Sequence, residues 1–153
     1  MVFLHINPSY SNTKLLNDSI DTGKQIFVIF YMEGCGPCNA TRPEWKKIEN
    51  VLNKYKNDPN IVIADVDQSL LKSIKYLKPI SGFPTIRYIK GQYSEDYEQS
   101  SIKVKDRKID SFVQWINSKI SKKGMKKSRK NYKKSDRTRH RNTSKNKSKK
   151  RRG

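Results

Sequence analysis

The chain has 153 residues and carries 34 Lys or Arg against 14 Asp or Glu, a formal net charge of +20. Residues 119–153 hold 18 of the basic residues and one acidic residue, whereas residues 1–118 hold 16 basic and 13 acidic residues. No apolar run approaches membrane-spanning length, and the first residues lack the basic start and long apolar run of a signal peptide. We therefore expect one folded domain, residues 1–120, and a basic tail, residues 121–153, that is too poor in apolar residues to fold and is expected to be disordered.

The first part of the chain predicts two strands separated by a helix. Residues 2–6 are predicted as a short strand, and residues 11–20 as a helix with Ser11 as its cap. The run at residues 26–32 is β-branched and aromatic and is too short for a helix of that apolarity. It therefore predicts a strand buried on both faces.

A helix is predicted directly after this strand. Large apolar or aromatic side chains recur there at steps of three and four, namely Trp45, Ile48, Leu52 and Tyr55. This spacing is typical of the buried face of a helix. We expect the helix to run from about residue 38 to residue 56, to begin at or just before the two cysteines, and to be kinked by Pro43.

The second part predicts a strand, a short helix, a hairpin and a closing helix. They are placed at residues 61–66, 70–77, 85–99 and 106–120. A right-handed crossover makes the strand at 61–66 parallel to the one before it, and Asp65 and Asp67 are interpreted as turn residues at its end. The aromatic side chains of Tyr31, Trp45 and Trp115 are expected in or at the edge of the core. This order predicts an α/β fold with a mixed sheet of four or five strands and helices on both faces.

The only two cysteines, Cys35 and Cys38, lie in one Cys-Gly-Pro-Cys turn between the predicted strand and helix. The free N–H groups and partial positive charge of a helix start stabilise a thiolate at the first cysteine. We therefore predict that Cys35 attacks a disulfide and that Cys38, one turn away, resolves the mixed disulfide. Gly36 and Pro37 set the turn, since Pro at a first helical position loses no hydrogen bond. This dithiol chemistry needs no cofactor.

A zinc site is the alternative interpretation of a Cys-x-x-Cys, but it needs a second pair of ligands. His5 and His140 are far from each other and from the cysteines in sequence, so we expect no metal. Cysteines confined to one such pair are typical of an intracellular redox protein. A glycan on the sequon that begins at Asn39 would obstruct the pair, which also favours an intracellular location, cytoplasm or nucleus.

The Cys-Gly-Pro-Cys turn, the element order and the later Gly82-Phe83-Pro84-Thr85 together resemble the thioredoxin family, over roughly residues 20–118. The resemblance implies the thioredoxin fold and a thiol–disulfide oxidoreductase that acts on protein disulfides. It also implies that Cys35 attacks, that Cys38 resolves and that Pro84 follows a cis peptide bond beside them. The backbone of Phe83 would then pair with an extended substrate segment. Gly34, Gly36 and Pro37 would complete the substrate-contacting surface.

The sequence departs from the family pattern in three places. The Trp that usually precedes the first cysteine is Gly34, which removes an aromatic docking surface. The buried acid that usually lies six residues before that cysteine is Ile29, so a carboxylate that assists Cys38 is missing and turnover is expected to be slower. The basic tail is the third departure. Pro37 stands where disulfide isomerases carry His, which favours a reductant over an oxidant.

The tail has three open interpretations. Its basic residues, spaced by Ser, Asn and Thr, are typical of binding to nucleic acid or another polyanion, and Tyr132 as its only aromatic residue predicts sequence-neutral binding. The Lys-Lys-Arg-Arg run near its end also suits a nuclear address, and the tail could serve only solubility. Frequent Lys, Asn, Ile and Tyr resemble products of AT-rich genomes, which suggests packaging in a large DNA virus particle. A non-catalytic interaction or packaging module on the same scaffold is the alternative function.

Overall fold

The computed structural model describes residues 1–121. Its strands and longer helices, in chain order, are β1 Val2–Ile6, α1 Thr13–Asp21, β2 Gln25–Tyr31, α2 Gly36–Lys46, α3 Ile48–Val51, β3 Ile61–Asp67, β4 Thr85–Lys90, β5 Tyr93–Asp96 and α4 Ile109–Ser121. Within this range, short 3₁₀ helices lie at Asn53–Tyr55, Gln68–Ser73 and Tyr97–Gln99.

The sheet has five strands in the order β1-β3-β2-β4-β5. Strands β1 and β2 both run parallel to β3, whereas β4 is antiparallel to β2 and β5 antiparallel to β4. All seven residues of β2 and all seven of β3 are buried, as the apolar runs predicted. The prediction of a mixed α/β sheet of the thioredoxin fold is confirmed, with five strands.

The two faces of the sheet carry separate apolar clusters. Helices α2, α3 and α4 cover one face, where Trp45, Ile48, Phe112 and Trp115 pack on Phe27 and Ile29. Helix α1 and the loop after β3 cover the other face, where Leu16, Ile20 and Leu77 pack on Val28 and Phe30. Successive residues of a strand point to opposite faces, so the apolar residues of β2 and β3 supply both clusters at once. Helices on both faces are therefore confirmed.

The predicted helix over residues 38–56 is wrong in its extent. Helix α2 ends at Lys46, α3 is a separate short helix, and a 3₁₀ turn completes the segment. Pro43 lies inside α2, where it cannot donate a backbone hydrogen bond. Trp45, Ile48 and Leu52 are nonetheless buried, so the apolar spacing correctly located the inward face.

Three smaller boundaries also differ from the predictions. Helix α1 is preceded by Asn12, not Ser11, as its cap residue. The predicted helix over residues 70–77 is a 3₁₀ helix at Gln68–Ser73, and the closing helix begins at Ile109. It starts late because Asp106 accepts hydrogen bonds from Lys108 N and Ser111 Oγ and so forms the turn ahead of the helix.

The hairpin is confirmed, although β5 ends at Asp96 and a 3₁₀ turn takes the remaining residues. Gly91 makes its turn with φ +58, a left-handed conformation that glycine adopts without steric cost. Among residues 1–121 no helix combines the length and apolarity that crossing a membrane would require.

Candidate active site

The two cysteines lie where β2 gives way to α2. Cys35 is the cap residue of α2, with φ −84 and ψ 115, and Pro37 occupies the first turn of the helix. The backbone N–H of Cys38 donates to Cys35 Sγ at 3.2 Å. The sulfur therefore takes the place of a capping oxygen and lies at the positive end of the helix, as the sequence predicted.

Cys35 and Cys38 are joined by a disulfide, with their Cα atoms 5.2 Å apart. Cys35 is 8% exposed and Cys38 is 0% exposed. Both pack against Tyr31, Met32 and Phe83. An incoming thiol or disulfide can thus reach the first sulfur, whereas the second is covered.

The loop before β4 approaches the same sulfur. The Phe83–Pro84 peptide bond is cis, as the family resemblance implied. Cys35 Sγ lies 3.7 Å from the carbonyl oxygen of Phe83. Pro84 is buried, and the Phe83 side chain is partly buried against the cysteines. Of the residues predicted for the site, the structure therefore brings together the two cysteines, Phe83 and Pro84.

The three other predicted contact residues are exposed around the disulfide: Gly34, Gly36 and Pro37. Gly34 has φ +75, a left-handed conformation that a residue with a side chain rarely adopts. The local backbone thus gives a physical reason for glycine at the position where the family usually has Trp. The surface beside Cys35 is correspondingly open, since no heavy atom outside residues 33–35 lies within 4 Å of where a Gly34 Cβ would stand.

An Arg that the sequence analysis did not single out lies beside the redox turn. Arg42 Nη1 donates to Glu33 Oε1 at 3.2 Å, and its guanidinium carbon lies 3.6 Å from the centre of the Tyr31 ring. The Glu33 carboxylate, which would oppose a thiolate at Cys35, is therefore paired. Burial raises the pKa of Tyr31, and the positive charge of Arg42 partly opposes that rise. The only sign of this contact in the sequence is that Glu33 and Arg42 carry opposite charges and lie nine residues apart, on either side of the redox turn.

Ile29, at the position of the missing acid, is fully buried. Its register partner on β3 is Asp65, which is 6% exposed and whose Oδ2 lies 2.5 Å from His5 Nδ1. The interpretation of Asp65 as a turn residue is therefore wrong, because β3 continues through it to Asp67. Asp67 does act at the strand end, where its side chain accepts from Ser69 N and Oγ.

Residues 1–121 contain no group of three or more His, Cys, Asp or Glu side chains placed to hold a metal ion. Residues 122–153, which include His140 and nearly all of the predicted tail, lie outside the described residues.

A paired-cysteine turn at a helix start, facing a cis-proline loop in this fold, defines a domain of the thiol–disulfide oxidoreductase class. The sequence model of the family described as Thioredoxin matches residues 8–118. The chain therefore belongs to the thioredoxin family.

Similar proteins agree with this assignment. The chain is 35% identical over 102 residues to protein disulfide isomerase-like 2-2 of Oryza sativa subsp. japonica, covering 65% of this chain and 25% of that protein. It is 34% identical over 102 residues to a protein disulfide-isomerase of Drosophila melanogaster, covering 65% of this chain and 18% of that protein. The chain thus spans about a quarter or less of these relatives.

Solved structures support the fold. Human ERp44 form I superposes with a TM-score of 0.60 at 17% identity, covering 76% of this chain and 29% of that one. The J-Trx1 fragment of ERdj5 gives a TM-score of 0.55 at 17% identity, covering 78% of this chain and 52% of that one.

Proposed function

We propose that this chain is an enzyme that reduces or reshuffles disulfides in protein substrates through Cys35 and Cys38. The observation that carries the proposal is the geometry around Cys35 Sγ, which caps a helix and lies 3.7 Å from the Phe83 carbonyl oxygen. A thiolate at Cys35 would be stabilised by the backbone N–H groups at the start of α2. A substrate held along Phe83 would place its disulfide beside the same sulfur.

In the reductive direction, the Cys35 thiolate attacks one sulfur of the substrate disulfide. A mixed disulfide forms, and the other substrate sulfur leaves as a thiolate that takes up a proton. Cys38 then loses its proton and attacks Cys35 Sγ, which releases the second substrate thiol. The substrate has gained two electrons and two protons, and the domain is left with the Cys35–Cys38 disulfide that the structure contains. An external dithiol must reduce it before the next turnover.

The direction of electron flow is also part of the proposal. We assign the chain as a reductant, because Pro37 stands where disulfide isomerases carry His. Similar proteins named as disulfide isomerases make reshuffling of disulfides the nearest competing activity. A redox titration of the two thiols distinguishes the possibilities, because a reductant requires a more negative reduction potential than an oxidant or isomerase.

Reduction of insulin, with dithiothreitol as the electron donor, tests the enzymatic proposal. The wild-type chain should accelerate insulin precipitation, and Cys35→Ser should abolish the acceleration. Equal rates for the two proteins would reject the enzyme and favour the alternative, a non-catalytic interaction or packaging module. Ile29 and Gly34, which replace two residues usual in the family, are the features that favour that alternative.

We also propose that the basic tail, residues 121–153, binds nucleic acid or another polyanion without sequence preference. The support is its composition, since residues 119–153 carry 18 basic residues and one acidic residue. If about eight of these charges neutralise phosphates, affinity for DNA should fall roughly a thousandfold or more between 50 and 200 mM salt. A gel-shift series with and without the tail tests this, and equal binding by the truncated chain would contradict it.

For location, we propose the cytoplasm or nucleus, with packaging in the particle of a large DNA virus. A single Cys-x-x-Cys pair and the basic tail support an intracellular place, and the residue usage of the chain supports the viral setting. Cell fractionation and mass spectrometry of purified particles test the two parts separately. If a variant that no longer binds polyanions still accumulates in the nucleus, the result would favour the tail as a nuclear targeting signal alone.

A further inference from the structure

One buried side chain holds the loop that carries the cis proline. Arg87 on β4 is 3% exposed and lies directly opposite Asp96 in the β4–β5 register. It points to the α1 face of the sheet, like Ile89 two residues further on. Its Nε donates to Asp96 Oδ1 at 2.5 Å and its Nη2 to Asp96 Oδ2 at 3.3 Å.

The rest of the guanidinium bonds to the loop. Nη1 of Arg87 donates to the carbonyl oxygen of Lys78 at 2.8 Å, and Nη2 donates to that of Pro79 at 3.3 Å. One planar group therefore joins the hairpin to two consecutive carbonyls, four and five residues before Phe83. A lysine ammonium could not make this set of bonds, because it lacks the fixed fork of Arg.

Residues 77–84 of this loop belong to no helix or strand. The loop is held by side chains. Asn17 bonds to Ser73 O and Lys75 N at its start, and three partly buried side chains anchor it to the α1-face cluster: Leu77, Ile80 and Phe83. From the sheet, Arg87 bonds to the carbonyls of Lys78 and Pro79, and Thr85 Oγ1 at the start of β4 donates to Gly82 O at 2.7 Å. Loss of the Arg87 bonds would leave residues 79–83 held by the Thr85 bond and by apolar contacts.

We propose that Arg87, oriented by Asp96, is a positioning residue that fixes the Phe83–Pro84 edge for a protein substrate. The inference rests on the proposed oxidoreductase function. Arg87 does not contact the sulfurs, so its loss should weaken docking of an extended substrate while leaving sulfur chemistry at Cys35 intact. A small shift of this edge would weaken the contacts that hold an extended substrate beside Cys35 and so lower kcat/KM for a protein disulfide.

Two substrates separate docking from chemistry. Insulin needs the strand edge, whereas 5,5′-dithiobis(2-nitrobenzoate) is a small disulfide that needs access to Cys35 alone. For Arg87→Lys and Arg87→Met we expect the KM for insulin to rise roughly tenfold, with kcat and the rate with the small disulfide within about twofold of wild type. Asp96→Asn should shift KM in the same direction by less, because the loop carbonyls keep their donors.

The chain offers a matched control. Arg107 also uses Nε and Nη2 on a carboxylate nine residues away, Glu98, at 3.2 and 2.7 Å, but its side chain is 35% exposed. Arg107→Met should leave both rates unchanged. If Arg87→Met fails to fold, Arg87→Lys and Asp96→Asn still give the ratio of the two rates.

The outcomes distinguish this inference from the function on which it rests. If the wild-type chain reduces neither disulfide, both the proposed function and the positioning role of Arg87 are rejected. An active wild type with an unchanged insulin KM in the Arg87 variants overturns the positioning role alone. Equal losses with both disulfides overturn it too, because they would indicate general damage to the domain.

Discussion

Reduction of the Cys35–Cys38 disulfide should destabilise the folded domain. The bond closes a loop of about four residues, and the loop-entropy relation assigns such a loop roughly 6 cal/mol/K, or about 2 kcal/mol at 25 °C. In the reduced form, Cys35 Sγ can keep the N–H bond from Cys38, which is 3.2 Å long here, so the loss should not exceed that figure. For a domain of this size, about 2 kcal/mol corresponds to a Tm lower by roughly 8 °C.

Urea unfolding of the oxidised protein and of the protein in excess dithiothreitol measures this difference. Tryptophan fluorescence is a suitable signal, because Trp45 and Trp115 are both buried, at 3% and 0% exposed. The double variant Cys35→Ser, Cys38→Ser is the control, since reductant should not change its midpoint. Equal midpoints for the two wild-type forms, or a more stable reduced form, would refute the reasoning.

Three further outcomes are expected. Cys38→Ser should accumulate a mixed disulfide with substrate on a non-reducing gel, and the same change at Cys35 should give none. Phe112→Ala should cost about 3–5 kcal/mol in urea unfolding, because Phe112 is fully buried between aromatic rings, while Val104→Ala, at an exposed site, should stay within about 0.5 kcal/mol. Burial raises the pKa of Tyr88 from 10.0 to about 12. The folded state then keeps a proton that the unfolded chain releases, so stability should fall from pH 10 to 12, and Tyr88→Phe should flatten that fall.

The central strands and the redox turn could be predicted because their signals are local. The apolar runs within β2 and β3 are short, and both strands are buried on two faces. The expected burial of Tyr31, Trp45 and Trp115 is also confirmed, because each lies in a local apolar pattern. The break after Lys46 escaped detection, because two short helices that keep one face inward show the same spacing as one long helix.

Contacts between distant residues could not be derived from local patterns. His5 meets Asp65 only because β1 and β3 pair in that register, 60 residues apart in sequence. Arg87 finds its carbonyl partners only because the loop folds back over β4. Nor could composition have indicated the cis bond before Pro84, since only about 5–6% of X-Pro bonds are cis. It was the family resemblance that implied it.

The unequal cover of the two sulfurs makes site-selective labelling practical. The chain has two cysteines, and Cys35 is 8% exposed whereas Cys38 is fully buried. A maleimide reagent added to the reduced protein should therefore modify one defined atom. Because that atom lies 3.7 Å from the Phe83 carbonyl oxygen, a photo-crosslinker attached there would form covalent adducts with polypeptides that visit the Phe83–Pro84 edge. Their sequences could then be read by mass spectrometry.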